Sequence, residues 1–153
     1  MKKITPFLWF DTQAEEAMNF YVSIFKNSKV GSIQRAGSDG PVMSVTFQLE
    51  GQEFMALNAG PQFKFNEAIS FFVDCKTQEE VDELWAKLTA DGGEESMCGW
   101  LRDKYGLSWQ IILSALGEMM GDPDPAKAQR VVQAMLKMQK IIIADLKKAY
   151  DAS

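Results

Sequence analysis

The stretch WFDTQAEEAMNFYVSIF, residues 9–25, has a counterpart in VDCKTQEEVDELWAKL, residues 73–88. In each, a Thr-x-x-Glu pattern opens a run of apolar residues spaced three or four apart, which predicts an amphipathic helix with a capping box. When the glutamate pairs at 15–16 and 79–80 are superposed, three apolar positions coincide: Ala17, Phe20 and Tyr21 in the first stretch and Val81, Leu84 and Trp85 in the second. An internal repeat of about 60 residues therefore underlies the chain.

Strand-like runs surround both predicted helices. The first helix follows ITPFLWF and precedes KVGSIQRAG, VMSVTFQLEG and QEFMALNAG. Pro6, near the start of the first run, indicates either a sheet edge or the end of a strand. The second follows AISFFVDC and precedes a short strand near residues 93–97 and a hairpin around residues 103–106. The sequence thus predicts a single α+β domain over residues 1–153, with βαβββ modules at residues 3–60 and 66–114 forming a curved mixed sheet.

The remaining segment, residues 122–150, predicts a C-terminal helical tail. Asp122-Pro123-Asp124-Pro125 supplies an N-cap and a proline at the first helical position. An apolar stripe follows at Val131, Met135, Met138, Ile142 and Leu146. The β-branched triplet at 141–143 is expected to kink or divide the helix. The stripe is expected either to pack on its own domain or to cover a second copy of the chain.

Composition restricts the partners and the compartment. The formal net charge of −5 argues against a broad phosphate-binding surface, so nucleic acid is not expected as a partner. The apolar run near the N-terminus is too short for a signal peptide, and no apolar run in the chain is long enough to span a bilayer. These features predict a cytoplasmic protein without a membrane contact. Two isolated cysteines and the absence of histidine indicate neither a zinc motif nor a disulfide framework.

The paired modules, together with WFDTQAEEAMNFYVSIF, GQEFMALNAGPQFKFNEAISFFVDC and CGWLRDKYGLSWQI, resemble the vicinal oxygen chelate superfamily of glyoxalases, extradiol dioxygenases and bleomycin or fosfomycin resistance proteins. More narrowly, they resemble its PhnB-like subfamily, labelled 3-demethylubiquinone-9 3-methyltransferase-like, over nearly the whole chain including the tail. The resemblance implies that each module curls into a half-cup, and that half-cups often complete one another between two subunits. A homodimer is therefore expected.

The resemblance also implies positions for metal ligands on the first and last strands of each module. Gln110 falls where a ligand glutamate stands, and the other positions fall on Pro6, on Met55 or Ala56, and on Ala68. Since zinc, nickel, iron and manganese sites need several imidazole or carboxylate donors, no metal and no other cofactor is expected. The methyltransferase label is not supported either, because no glycine-rich turn follows a strand.

Without metal ligands, the predicted cup is walled by apolar and aromatic groups. Strand alternation directs Gln110 to the cup and Trp109 to the helix layer. The candidate ligand-binding residues are Leu8, Phe10, Phe47, Met55, Asn58, Phe72, Trp100 and Gln110. An apolar wall with few polar points is typical of a pocket for a hydrophobic or planar small molecule, and equally of a packed core.

Catalytic candidates are few because the commonest general base, histidine, is absent. Glu67 and Cys98 are the weak candidates. Glu53, Asp74 and Asp103 remain as other carboxylates, with Asp103 better suited to forming a turn. Cys98 would need a neighbouring cation to become a thiolate and otherwise serves as a small buried apolar residue.

These observations predict a protein that binds a hydrophobic or aromatic small molecule in the cup of its modules. Whether it is an enzyme stays open. The alternative is an enzyme of the same superfamily, namely a lyase, a dioxygenase or the labelled methyltransferase, acting without metal or through atypical ligands such as Glu67 and Gln110. A third hypothesis makes the tail helix a docking element and the cup purely structural.

Overall fold

A computed structural model describes residues 2–152 and divides the chain into two compact units, the first ending at Lys64 and the second beginning at Phe65. The elements of the first unit are β1 (Phe7–Phe10), α1 (Ala14–Ile24), β2 (Ser28–Arg35), β3 (Val42–Leu49) and β4 (Gln52–Asn58). Those of the second are β5 (Ser70–Cys75), α2 (Gln78–Thr89), a 3₁₀ turn (Ala90–Gly92), β6 (Glu94–Glu95), β7 (Trp100–Arg102), β8 (Ser108–Leu113), α3 (Ser114–Met120), α4 (Pro125–Met135) and α5 (Ile143–Asp151).

The two predicted βαβββ modules are confirmed, and each closes its own four-stranded sheet rather than contributing to one continuous sheet. The strand orders are β1-β4-β3-β2 and β5-β8-β7-β6, so the last strand of each module lies between its first and third. First and last strands are parallel, and the remaining pairs are antiparallel. β1 is an edge strand, the first of the two alternatives that Pro6 indicates.

Helix α1 covers one side of the first sheet. It buries five apolar residues, namely Ala14, Ala17, Met18, Tyr21 and Ile24. The Tyr21 ring stacks on Phe47 of β3 with centroids 6.3 Å apart, and Phe47 stacks in turn on Phe54 of β4 at 5.3 Å. These three aromatic rings therefore form part of the core between α1 and the sheet.

The start of α1 differs from the prediction. The Thr12–Glu15 capping box does not form, and no side chain of the N-cap residue Gln13 caps the helix. Instead, the Ala14 N–H donates to Asn58 Oδ1 at 2.8 Å, while Asn58 Nδ2 donates to the Val42 carbonyl at 3.1 Å. A side chain at the end of β4 thus caps the helix from a distant part of the chain, a contact outside the reach of a local motif.

Helix α2 begins as predicted. The Thr77 hydroxyl accepts from the Glu80 N–H at 3.1 Å, which is the N-cap half of the capping box. The helix buries Val81, Leu84 and Trp85 against its sheet. The two modules therefore share a topology but cap their helices by different means.

The predicted tail helix is divided, as its β-branched triplet anticipates. Asp124 caps α4 with Pro125 in its first turn, α4 ends at Met135, and α5 starts only at Ile143. α3, which follows β8 directly, was not predicted. No helix within residues 2–152 has the length and apolar character required to cross a membrane.

The tail packs on the second module of its own chain. The Cys98 and Gly99 N–H groups donate to the carbonyls of Met138 and Gln139, both at 2.8 Å. Ile141 and Leu146 are completely buried. The apolar stripe is therefore covered in cis, the first of the two alternatives that the sequence leaves open.

Candidate functional site

One row of side chains crosses the second sheet on the side away from α2. Phe72 on β5 pairs with Gln110 on β8, which pairs with Trp100 on β7. Directly paired residues point to the same side of a sheet, so these three predicted ligand-binding residues share one face. Phe72 is 61% exposed, an unusual degree for a phenylalanine in a regular strand. We call this surface the aromatic row.

A polar row runs beside it, one strand pair along. Ser70 pairs with Ser108, and Ser108 with Arg102. Gln110 Nε2 donates to Ser70 Oγ at 2.9 Å, which fixes the amide between the two aromatic rings. Arg102 forms ion pairs with Glu67 at 3.2 Å and with Glu94 at 2.6 Å.

Ser108 stands out within the polar row. Its side chain is completely buried, and its hydroxyl has no hydrogen-bond partner in the described structure. Buried hydroxyls are normally satisfied, because an unmade hydrogen bond costs about 1–3 kcal/mol. Sequence reasoning missed this residue, although alternation places it on the same side of β8 as Gln110.

The opposite side of β8 is core, as predicted for Trp109. This side chain is buried, and its indole Nε1–H donates to Asp103 Oδ2 at 2.9 Å. Asp103 Oδ1 accepts from the Tyr105 and Leu107 N–H groups at 2.9 and 3.1 Å. Asp103 therefore serves the hairpin turn, as its Asp-x-x-Gly setting indicates, and its carboxylate is fully engaged there.

The remaining carboxylate candidates lie at separate places. Glu67 is paired with Arg102 at the edge of the polar row. Asp74 lies on β5, where a hydrogen bond from Lys76 lowers its pKa with help from Ser114. A lowered pKa makes Asp74 a weaker base, so the structure does not gather these groups into an acid–base pair.

The two cysteines occupy different surroundings. Cys75 is buried, and the loss of hydration together with nearby Glu80 raises the pKa of its thiol to about 12. Cys98 is partly exposed and has a left-handed backbone at φ 59°. It lies in the loop held by the tail, beside the strand that carries Trp100.

The candidates on the first module divide between the two sides of their sheet. Leu8, Phe10 and Phe47 are at most 6% exposed and lie on the α1 side, away from the face assigned to them. Asn58 is occupied in capping α1. Met55 faces the side away from α1, in a row with Phe7 and Thr46.

A groove of about 240 Å³ opens on that same side of the first sheet, and sequence reasoning missed it. We call it the charged groove, because it carries a lysine and a glutamate among its polar lining. Its principal lining residues are Thr5, Lys29, Thr46, Gln48, Glu53 and Met55. Two of the residues that the sequence singled out for ligand binding, Phe47 and Met55, border the groove.

The family model described as 3-demethylubiquinone-9 3-methyltransferase matches residues 2–112. The chain belongs to this family. It is 42% identical to a putative 3-demethylubiquinone-9 3-methyltransferase, PhnB protein, from Bacillus cereus, over 74% of this chain and 100% of that one, with a TM-score of 0.68. No curated protein matches the chain.

More distant structures share the fold alone. Protein PA1353 from Pseudomonas aeruginosa is 18% identical over 74% of this chain and 98% of that chain, with a TM-score of 0.61. The fosfomycin resistance protein FosX from Listeria monocytogenes is 18% identical over 76% of this chain and 94% of that chain, with a TM-score of 0.55. The fold implied by the resemblance is thus confirmed. The resemblance of the sequence implies a family likeness that includes the tail. The family model instead ends at residue 112, before α3, and so leaves the tail unmatched.

The positions that correspond to metal ligands in the superfamily do not fit a metal here. Gln110 donates its amide to Ser70, Met55 offers a thioether, and Pro6 and Ala68 offer no side-chain donor. Within residues 2–152, no three His, Cys, Asp or Glu side chains converge in a way that could hold an ion. Glu67, the residue before Ala68, forms an ion pair with Arg102. The donor chemistry therefore differs from that of a transition-metal site.

Proposed function

We propose that this protein binds a hydrophobic, planar small molecule on the aromatic row of its second module. The observation that carries the proposal is the placement of Gln110 between Phe72 and Trp100 on one exposed face. Two rings provide stacking and apolar area, and the amide between them provides directional hydrogen bonds. This combination is typical of sites where apolar contact gives affinity and one polar group sets orientation.

The polar row supports the same ligand class. The Ser70 hydroxyl accepts from Gln110 and keeps its own O–H to donate, so an oxygen substituent on a bound ring would find a donor at that side. The family label and the name of the Bacillus cereus protein both contain 3-demethylubiquinone, a planar quinone ring with oxygen substituents. A substituted quinone or quinol is therefore the first ligand to test.

The test is a titration with decylubiquinone, read by tryptophan fluorescence and by the shift in Tm. Saturable quenching with an increase in Tm is expected, since a ligand that binds only the folded chain stabilises it. Phe72→Ala should weaken binding about tenfold, the equivalent of losing most of one stacked ring. Gln110→Leu preserves the shape of the site and should weaken binding by removing the amide.

Phe7→Ala is the matched control, because Phe7 is an exposed phenylalanine at the corresponding edge of the first sheet. It should leave the titration unchanged. Equal losses from Phe7→Ala and Phe72→Ala would show nonspecific adsorption, and the absence of any saturable signal would overturn the proposal.

Methyl transfer is a second candidate, favoured by the words of the family label. The observed fold has two four-stranded mixed sheets, unlike the doubly wound sheet with a glycine-rich turn that typical S-adenosylmethionine enzymes use. Incubation with S-adenosylmethionine and a demethylated quinol, followed by mass spectrometry, tests it. We expect no methylated product above a protein-free control, and product formation would replace the binding-only proposal.

We also propose that the protein forms a homodimer. With the tail stripe covered in cis, its support comes from large apolar side chains left exposed on the first module, namely Phe7, Val30, Ile33 and Met43. Analytical ultracentrifugation of the full chain should give twice the monomer mass. Replacing Met43 and Phe7 by serine should shift the protein to monomer, and an unshifted monomer mass in the wild type would overturn it.

A further inference from the structure

The charged groove has an ordered arrangement of charge. Lys29 on β2 pairs with Gln48 on β3, which pairs with Glu53 on β4, so the three side chains form one row across the sheet. Because β3 lies between them, the backbones of Lys29 and Glu53 are about 10 Å apart, two strand spacings. A positive group, an amide and a negative group therefore follow one another along the groove.

In the part of the chain that the structure describes, neither charge is neutralised by a side chain of opposite sign. Within residues 2–152, Lys29 forms no ion pair, and the Glu53 carboxylate accepts only from the backbone N–H of Lys2, at 3.0 Å. Elsewhere on the same unit, Arg35 and Glu15 do pair, at 3.2 Å. The row thus keeps two opposite charges apart, each with hydrogen-bonding capacity to spare.

The groove owes its shape to a bulge in β2. The register shifts between Val30 and Ile33, and the Ser32 N–H donates to Thr46 Oγ1 at 2.8 Å instead of to a ladder carbonyl. A Cβ atom at Gly31 would lie 2.3 Å from Thr46 Oγ1, so no other residue fits there without a shift. Bulges commonly re-aim side chains beside functional sites, and here the glycine lets the bulged strand approach β3 closely.

The size of the groove limits the ligand. Its volume of about 240 Å³ lies below the usual range of roughly 300–1,000 Å³ for drug-sized ligands. A short aliphatic molecule fits this space, with Met55 offering apolar contact.

We propose that the charged groove is a second binding site, for a small zwitterion whose carboxylate contacts Lys29 and whose ammonium contacts Glu53. Gln48 lies between the two charges and can donate to or accept from either end of the ligand. Charge-assisted hydrogen bonds at both ends would then select molecules that carry both charges. This site differs in chemistry from the aromatic row and is independent of its ligand.

The test uses γ-aminobutyrate and ε-aminocaproate as probes, with butyrate, caproate, butylamine and hexylamine as singly charged analogues. Binding to the isotope-labelled full chain is followed by amide chemical shifts in NMR. One or both zwitterions should shift amides around residues 29, 48 and 53 saturably. The singly charged analogues should bind about tenfold more weakly or not at all, since each lacks one charge-assisted contact.

Variants of the two charged residues then assign the contacts. Lys29→Met and Glu53→Gln should each weaken zwitterion binding about tenfold, and the exchange Lys29→Glu with Glu53→Lys should restore it, because the row then offers the same charges in reverse. Two exposed residues provide matched controls for net charge: Lys137→Met in the turn after α4, and Glu118→Gln on α3. Circular dichroism and Tm verify that every variant is folded.

Three outcomes would overturn the proposal: no saturable shift with either zwitterion, equal affinity for a zwitterion and its singly charged analogues, or no loss in the single variants. Restoration by the charge exchange would exclude a purely structural effect of the two substitutions. Because decylubiquinone binding is read by a different signal at a different sheet, failure here leaves that proposal standing, and the reverse also holds.

Discussion

After its helix, the first module pairs strands of eight, eight and seven residues, whereas the second pairs strands of two, three and six residues. The second module therefore pairs fewer residues across its sheet than the first. It makes other contacts instead. Asp103 links the hairpin turn to Trp109 by a hydrogen bond, and carbonyl groups of the tail accept hydrogen bonds from N–H groups of the loop before β7. One topology can therefore be stabilised mainly by backbone pairing or largely by side chains and an added segment.

The open sides of the two sheets differ in the same way. At corresponding places, the first sheet carries Phe7, Met55 and Thr46, and the second carries Phe72, Gln110 and Trp100. The open face of the first sheet also carries the row of separated charges, whereas that of the second carries the aromatic row with an amide at its centre. Two modules of one topology therefore present unlike surfaces.

Substitutions in the turn between the third and fourth strands of each module should show the largest difference in stability. Asp103→Ala removes a buried carboxylate that accepts three hydrogen bonds, leaving three donors without partners. We expect a loss of about 3 kcal/mol or more in the free energy of unfolding. Glu50→Ala, in the corresponding turn of the first module, removes one exposed acceptor for the Asn27 N–H and should cost below about 1 kcal/mol. Urea unfolding measures both, and equal losses would show that the two turns contribute alike to stability.

The helix caps come next in magnitude. Asn58→Ala removes the acceptor for Ala14 and the donor to Val42, so we expect a loss of about 2 kcal/mol. Thr77→Ala removes a single local cap and should cost about 1 kcal/mol. Asn58→Asp, which retains the acceptor and loses the donor, should fall between these values. A Thr77→Ala loss larger than that of Asn58→Ala would contradict the view that the first module depends on its long-range cap.

The attachment of the tail gives a smaller effect. Gln78 donates to the Ile141 carbonyl at 2.9 Å and accepts from the Ile143 N–H at 2.7 Å, whereas Ala14 occupies the corresponding helix position in the first module. Gln78→Ala should destabilise the chain by about 1 kcal/mol and speed hydrogen exchange in residues 138–146. Gln133→Ala, on the exposed side of α4, is the control. Unchanged exchange in the Gln78 variant would show that the tail is held by apolar packing alone.

The smallest expected effect depends on pH. A hydrogen bond from Lys140, with a second from Gln78, lowers the pKa of Asp82 below its ordinary value of 3.8. The carboxylate therefore stabilises the fold above that value, and the contribution is lost as the pH falls through the lowered pKa. Asp82→Asn should cost about 0.5 kcal/mol at neutral pH, since the ion pair is partly exposed, and the difference should shrink in acid. A difference that grows in acid would have the wrong sign.

The sequence predicted those features that local patterns control. Apolar periodicity located α1 and α2, the β-branched triplet marked the break in the tail, and alternation along β8 separated Trp109 from Gln110. Phe72 and Trp100 were correctly placed on the same face as Gln110 because both flank it in the sheet.

The features that the sequence did not predict depend on contacts between distant residues or on patterns with two interpretations. β1 has large apolar side chains on both faces, so its alternation does not say which side meets α1; Leu8 and Phe10 were assigned to the open side and lie on the helix side. The Asn58 cap and the charged groove join residues far apart in sequence. No local motif signals them, although the Gly31 bulge could have suggested an irregular strand.

The placement of the last strand inside each sheet sets an order on biosynthesis. During translation, β1 has no parallel neighbour until β4 has been made, so the first module can complete its sheet only after residue 58 has emerged. The second module waits longer, because the carbonyls that receive its Cys98–Gly99 loop belong to Met138 and Gln139, near the end of the chain. The three hydrogen bonds that Asp103 accepts lie within the hairpin itself, so they can form while the tail is still being added.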